Sequence, residues 1–265
     1  MGSEMTRRAL LALAAGVAFV SAGCGLPFGF GIDTEAGSPA SDGHLLSRPP
    51  KDAPPVPAAT GAQPIGFDGG RDGVVYLPPG LTGPAPLLVL LHGATGSAAG
   101  ITRRTDAFAL ADEFKMVILA PDSRERTWDA IRGHFGPDVE FLDKALAKLF
   151  ETVPIDRKRV AIGGFSDGAS YAISLGLQNG DLFTHVAAFS PGFFVGSQRR
   201  GRPIFFISHG RKDQILPFEV TSRKIVPDLE DANYSVRFKE FDGPHTVPAA
   251  VAREAFEWIA GKRAR

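Results

Sequence analysis

Cysteine is almost missing from this sequence: Cys24 is the only one among 265 residues. Its scarcity excludes a disulfide framework and any zinc ribbon built on paired cysteines. Excess charge is missing too, since 29 Lys and Arg balance 29 Asp and Glu for a formal net charge of zero. Nothing in that balance provides the electrostatic footprint that a nucleic-acid partner requires. No internal repeat is visible, which argues against a solenoid. A long apolar span is also lacking near the amino end. The run Ala9 to Val20 is too short to cross a bilayer core comfortably as a permanent helix.

Glycine and proline are abundant instead, with 31 and 21 residues. Eleven of the prolines lie between Pro39 and Pro86. Residues 31–62 carry few apolar side chains at any regular period, so they predict a semi-extended linker. Ahead of the linker, Arg7 and Arg8, the Ala9 to Val20 run and the exit Ser21-Ala22-Gly23-Cys24 follow the pattern of a signal peptide. The exit is similar to a bacterial lipobox, with Ser21 where Leu is usual, and in a lipobox the cysteine becomes the lipidated first residue of the mature chain. The adjacent arginines leave the twin-arginine and general secretory routes both open. The expected organisation is a signal peptide over 1–23, a Pro/Gly-rich tether over 24–63 and a folded domain over 64–265. The chain is expected to leave a bacterial cytoplasm and to meet a membrane only through lipid on Cys24. The alternative is an unmodified thiol and a periplasmic or secreted protein.

From about Pro64 onward, buried-type strands alternate with amphipathic helices. Strands are predicted at Val74–Leu77, Pro86–Leu91, Met116–Ala120, Arg159–Gly164, Val186–Ser190, Pro203–Ser208 and, with edge-like alternation, Ser235–Phe241. Helices are predicted near 104–114, over 137–150 with Asp138 as cap, from Gly168 to Leu177, near 218–231 and over 247–260. This order implies an α/β fold with a mainly parallel sheet and helices on both faces.

The chemistry-bearing residues fall at strand ends. Gly164-Phe165-Ser166-Asp167-Gly168 fits G-x-S-x-G, a pattern of which about 0.2 copies are expected by chance in a chain of this composition. Its placement between a strand and a helix is what a nucleophile elbow needs, because the sharp turn brings backbones too close for a Cβ at either glycine. A serine hydroxyl is a poor nucleophile until a base takes its proton. Six histidines are available. His44 lies in the linker, His92 and His209 each close a strand before a glycine and look architectural, and His134 and His185 lie in connections without a clear role. His245, in the loop between the last strand and the last helix, is the candidate base. The orienting acid should stand between serine and base in chain order, and Asp213, just past a buried strand, does so. Asp242 is its competitor, and Asp167 is directed away by the elbow. Two backbone amides could face the developing oxyanion: that of Asp167 and, from the turn His92-Gly93-Ala94, that of Ala94. Trp128 and Phe193, each beyond a strand end, are candidates to wall a substrate pocket.

The motifs His92-Gly93-Ala94-Thr95-Gly96, Gly164-Phe165-Ser166-Asp167-Gly168, His209-Gly210-Arg211-Lys212-Asp213 and Gly243-Pro244-His245-Thr246 together resemble the α/β-hydrolase superfamily. Within it they resemble the small serine esterases of the phospholipase/carboxylesterase and polyhydroxybutyrate-depolymerase-like groups. The resemblance covers residues 64–262. It implies an α/β-hydrolase fold with little or no lid, and hydrolysis of small carboxylic esters through an acyl-serine intermediate without metal or organic cofactor. By the same resemblance Ser166 attacks, His245 serves as base and then acid, and Asp213 orients it. The chain departs from the depolymerases in lacking their extra cysteines and a substrate-binding module. A thioesterase, lipase or peptidase with the same triad, or a non-catalytic binding protein on this scaffold, are the alternatives.

Overall fold

The run Ala85–Leu91 shows how this sequence builds its sheet. Leu87, Val89 and Leu91 enter one hydrophobic cluster, while Leu88 and Leu90 enter a second on the other side. Successive side chains of a strand point to opposite faces, so an unbroken apolar run is stable only where both faces are covered. The computed structural model describes residues 42–67 and 70–261. Its strands are β1 (Gly61–Pro64), β2 (Gly73–Leu77), β3 (Ala85–Leu91), β4 (Val117–Pro121), β5 (Ile155–Phe165), β6 (His185–Phe189), β7 (Ile204–Gly210) and β8 (Val236–Phe241). They form one eight-stranded sheet in the order β1-β2-β4-β3-β5-β6-β7-β8. Pairing is parallel from β4 through β8, with β1 and β2 added antiparallel at one edge. The fold is thus the α/β-hydrolase type expected.

Three helices, α4 (Pro137–Thr152), α5 (Asp167–Gln178) and α6 (Ser222–Asp231), supply apolar residues to the first cluster. Three others, α1 (Ala98–Arg104), α2 (Ala107–Phe114) and α7 (Ala249–Ile259), supply the second. A one-turn helix, α3 (Asp129–Arg132), follows β4. The chain leaves β3 toward β4 on one side and leaves β5 toward β6 on the other. Where neighbouring strands part in opposite directions, a crevice opens beyond their carboxyl ends, and open α/β sheets bind ligands there. The turn after β3 and the elbow after β5 meet at that edge.

Several elements differ from expectation. The helix expected near 104–114 is two, α1 and α2, broken at Asp106, whose φ of 52° no helix continues through. The helix expected near 218–231 begins with a 3₁₀ turn, Phe218–Val220, before α6. Asp138 is not the cap of α4. It follows Pro137 inside the first turn, and its buried carboxylate accepts the amides of Arg124 and Asp129, 2.6 and 2.7 Å away.

The largest difference concerns the tether. Its residues 24–41 lie outside the described residues, but residues 42–49 are docked on the domain, while 50–60 are mostly exposed. Leu45 is 0% exposed. Its amide donates to Asn179 Oδ1, the amides of Leu46 and Ser47 donate to Asp143 Oδ1, and Arg48 pairs with Asp181. β1, at the end of the segment, hydrogen-bonds to β2. Composition predicted a spacer because no apolar period runs through it. One buried leucine with side-chain acceptors for its backbone is enough to hold such a segment down. Leu45→Ala is accordingly expected to destabilise the domain by about 2–4 kcal/mol, measured as a lower urea midpoint at unchanged slope. A midpoint equal to that of the unaltered protein would show the segment to be loose.

Candidate active site

Ser166 stands between β5 and α5 with φ 57° and ψ −122°, a backbone conformation that L-residues rarely adopt. The turn is held by the Ser166 amide donating to Phe189 O and by the Ser166 carbonyl accepting from Ala169 and Ser170. The motif's glycines have a steric reason. A Cβ on Gly164 would meet Gly168 C and O at 2.6 Å, and one on Gly168 would meet Leu91 O and His92 O at 2.4 Å. The elbow therefore sits directly on the end of β3.

The acid and the base come from two loops that are laced together. A Cβ on Gly210 would lie 2.3 Å from Gly243 O, and the amides of Arg211 and Lys212 donate to Phe241 O and Gly243 O. Asp213 has a fully buried side chain whose Oδ1 accepts the amides of Ile215 and Leu216, each at 2.9 Å. Its Oδ2 accepts from His245 Nδ1 at 2.5 Å. The His245 imidazole packs against the ring of Phe165, the residue before Ser166, with centroids 4.6 Å apart. The imidazole keeps 13% of its surface exposed. Serine, acid and base expected from sequence are thus brought to one edge of the sheet. Asp242, the competing acid, is instead an exposed partner of Lys212, which holds its carboxyl below the usual range.

The turn after β3 is braced from below. His92 Nδ1 lies 2.7 Å from Gly93 O, so that nitrogen carries the proton, and Nε2 accepts the Ser123 amide at 3.0 Å. Burial lowers the His92 pKa, which keeps the ring neutral in this role. Arg71 donates to Ser123 O and Gly96 O. Sequence reasoning passed over this arginine, because nothing near position 71 signals its reach to the turn. Ala94 is exposed at the tip, and the amides of its neighbours Thr95 and Gly96 are engaged with Arg126 O and Gly93 O. The Asp167 carboxylate accepts from Thr127 Oγ1 at 2.6 Å.

Trp128 is a correction. It was expected at the pocket wall, but it is 1% exposed, its indole N–H donates to His92 O at 2.8 Å, and its rings lie between His92 and Tyr171. Residues 123–128 fold back beneath the turn, so the indole supports His92 rather than a substrate. Phe193 is partly exposed, with its amide 3.4 Å from Ser170 Oγ in α5. Of the other histidines, His134 is exposed, and His185 is held against Trp258 with its pKa pushed down to about 4 by burial. His209 is in the acid loop's immediate surroundings, which its reading as architectural did not anticipate. The spacing His209-Gly210-x-x-Asp213 around a tight turn was the available signal. Cys24 lies outside the described residues. Among the described residues no helix is long and apolar enough to cross a membrane.

A family model described as phospholipase/carboxylesterase matches residues 114–260, a span containing Ser166, Asp213 and His245. A bifunctional acetylxylan esterase/xylanase of Neocallimastix patriciarum is 31% identical over 157 residues, 57% of this chain and 22% of that protein. An S-formylglutathione hydrolase of Bos taurus is 27% identical over 146 residues, 44% of this chain and 50% of that one. The chain thus spans a half or less of the length of these curated relatives. Among solved structures, an S-formylglutathione hydrolase from Staphylococcus aureus superposes with a TM-score of 0.61 at 16% identity, over 77% of this chain and 99% of that one. At that identity the likeness is one of fold.

Proposed function

The chain belongs to the phospholipase/carboxylesterase family, and on that premise we propose that it is a serine hydrolase cleaving small carboxylic esters through an acyl-serine intermediate. The observation that carries the reading is the 2.5 Å bond from His245 Nδ1 to the buried Asp213 carboxylate, with the imidazole against the residue preceding Ser166. With its Nδ1 proton committed to Asp213, neutral His245 has Nε2 free to accept a proton. Ser166 attacks the ester carbonyl as His245 takes the hydroxyl proton. The imidazolium, stabilised by Asp213, then protonates the leaving alkoxide. Water repeats the sequence on the acyl-enzyme and frees Ser166.

The oxyanion is assigned to the amides of Asp167 and Ala94. The Asp167 amide is the first of α5, has no intrahelical acceptor and shares the helix's positive end. Ala94, an exposed residue, supplies the amide of a turn whose next two amides are engaged. Phe193 is the remaining candidate for the substrate wall.

The named substrates of the two curated relatives carry short acyl groups, acetyl on xylan and formyl on glutathione, which favours a short acyl ester here. The second of those names is the specific support for a thioester as the alternative. Export by a signal peptide over 1–23 and tethering through lipid on Cys24 complete the proposal and rest on the sequence pattern alone.

The test is labelling by a fluorophosphonate probe, followed by p-nitrophenyl esters of increasing acyl length. The protein is expected to be labelled, Ser166→Ala to escape labelling, and acetyl to outpace octanoyl. Equal labelling of the Ser166→Ala variant would end the serine-hydrolase reading.

A further inference from the structure

His209 is a fully buried polar side chain for which the proposed chemistry has no use. It is the penultimate residue of β7, four positions before Asp213. Its Nε2 lies 2.8 Å from Leu216 O and 3.1 Å from Asp213 Oδ2, and its Nδ1 lies 2.6 Å from Ser222 Oγ. Carbonyl and carboxylate oxygens only accept, so the proton of the neutral ring is on Nε2 and the Ser222 hydroxyl donates to Nδ1. The other tautomer would set a bare nitrogen lone pair against two acceptor oxygens. Burial lowers the His209 pKa, so the ring stays neutral where the enzyme would work.

Asp213 is therefore enclosed on every side. Oδ1 takes the Ile215 and Leu216 amides, and Oδ2 faces both His245 Nδ1 and His209 Nε2. Leu216 closes the ring, since its amide donates to Asp213 while its carbonyl accepts from His209. Resting on the triad proposed above, the geometry points to His209 as a positioning residue: its Nε2–H, held in place by Ser222 and Leu216, fixes Asp213 Oδ2 and draws off part of the negative charge offered to His245.

The consequence has a sign. Hydrogen bonding to a charged carboxylate makes it a weaker partner for the imidazolium. Removing the His209 donor should therefore strengthen the Asp213–imidazolium pair and move the acid limb of the rate profile upward. Asp213 touches His245, His209 acts through Asp213, and Arg104 of α1 lies across the Phe165 ring, 4.7 Å from its centroid. Lys212 and Asp242, on the same two loops, neutralise each other at the surface.

The test measures kcat/KM for p-nitrophenyl acetate against pH, with fluorophosphonate titration of active sites, in the full chain and in His209→Leu, His209→Gln and Ser222→Ala. His209→Leu removes the donor and should move the acid limb up by about half to one pH unit. Its kcat should fall about tenfold with KM little changed, because His209 does not touch substrate. The Gln variant, whose amide N–H can occupy the Nε2 position, should return the limb toward the wild-type value. Ser222→Ala should move it the same way as Leu, by less. If His209→Leu does not fold, the shift in Ser222→Ala and the near-wild-type limb of His209→Gln decide the question. Packing alone would lower melting temperature and titratable fraction without moving the limb, and that result overturns the proposal, as does a Gln variant no nearer wild type than Leu. Failure of the wild-type protein to label at Ser166 would refute the triad itself. Labelled variants with an unmoved limb refute only the part given to His209.

Discussion

Asp213→Asn is expected to lower kcat/KM by about four orders of magnitude with the fold retained. The substitution keeps the shape of the side chain, so its orientation is decided by what surrounds it. Two backbone amides, of Ile215 and Leu216, converge on Oδ1 and are fixed in the main chain. Oδ2 instead faces the side chains of His245 and His209, which can re-orient, so the asparagine is expected to leave its oxygen at the Oδ1 position. Its NH₂ group then replaces Oδ2 and points an N–H at His245 Nδ1, 2.5 Å away in the native pair. His245 can accept that bond only by moving its own proton to Nε2. In the mechanism proposed above that nitrogen takes the proton of Ser166, so the base would be disabled by its tautomer. The charge that stabilises the imidazolium is lost as well. Burst kinetics with p-nitrophenyl acetate, alongside circular dichroism and thermal melting, would check this. An Asn variant within tenfold of wild type would exclude Asp213 as the orienting acid.

Gly168→Ala should abolish activity together with a large share of the stability. The added Cβ would stand 2.4 Å from Leu91 O and His92 O. Both are backbone atoms at the end of a central strand and cannot rotate aside. Either the start of α5 or the end of β3 must shift. Overpacking a rigid site costs about 3 kcal/mol when the neighbours cannot give, which for a domain of this size lowers the melting temperature by about 6–12 °C. The same shift displaces the Asp167 amide and Ser166. Gly100→Ala makes a control, because Gly100 is in α1 and the nearest neighbour of an added Cβ is Ser97 Oγ at 3.4 Å. There alanine should be neutral or stabilise by up to about 1 kcal/mol through helix propensity. Wild-type melting and activity in Gly168→Ala would show that the elbow does not rest on β3.

The five central strands were legible because each is a short apolar run ended by Pro, Ser, Gly or a His-Gly pair. Burial on both faces of a parallel sheet imposes that pattern locally. Ser166, Asp213 and His245 stood out for a related reason: each lies within four residues of a strand's carboxyl end. Edge elements were harder to read. β1 is four residues, Gly61–Pro64, with alternating half-buried and exposed positions, and it is a strand only because β2 lies beside it. The segment around Leu45 is held by Asn179 and Asp143, whose positions are 96 to 136 residues away in the chain. No window of sequence contains both partners.

The sequence by itself determined the fold class, the places of Ser166, Asp213 and His245 beyond strand ends, and the glycines that let backbones touch at the elbow. Those are properties of single turns and of the period of single strands. Tertiary structure alone decided that Trp128 supports the turn after β3 instead of lining a pocket, and that Asp242 pairs with Lys212 while Asp213 meets His245. It also set His209 against the same carboxylate. Each of these outcomes depends on how two loops from different strands close on one another. That closure is fixed by packing between residues far apart in the chain, and local pattern carries no record of it.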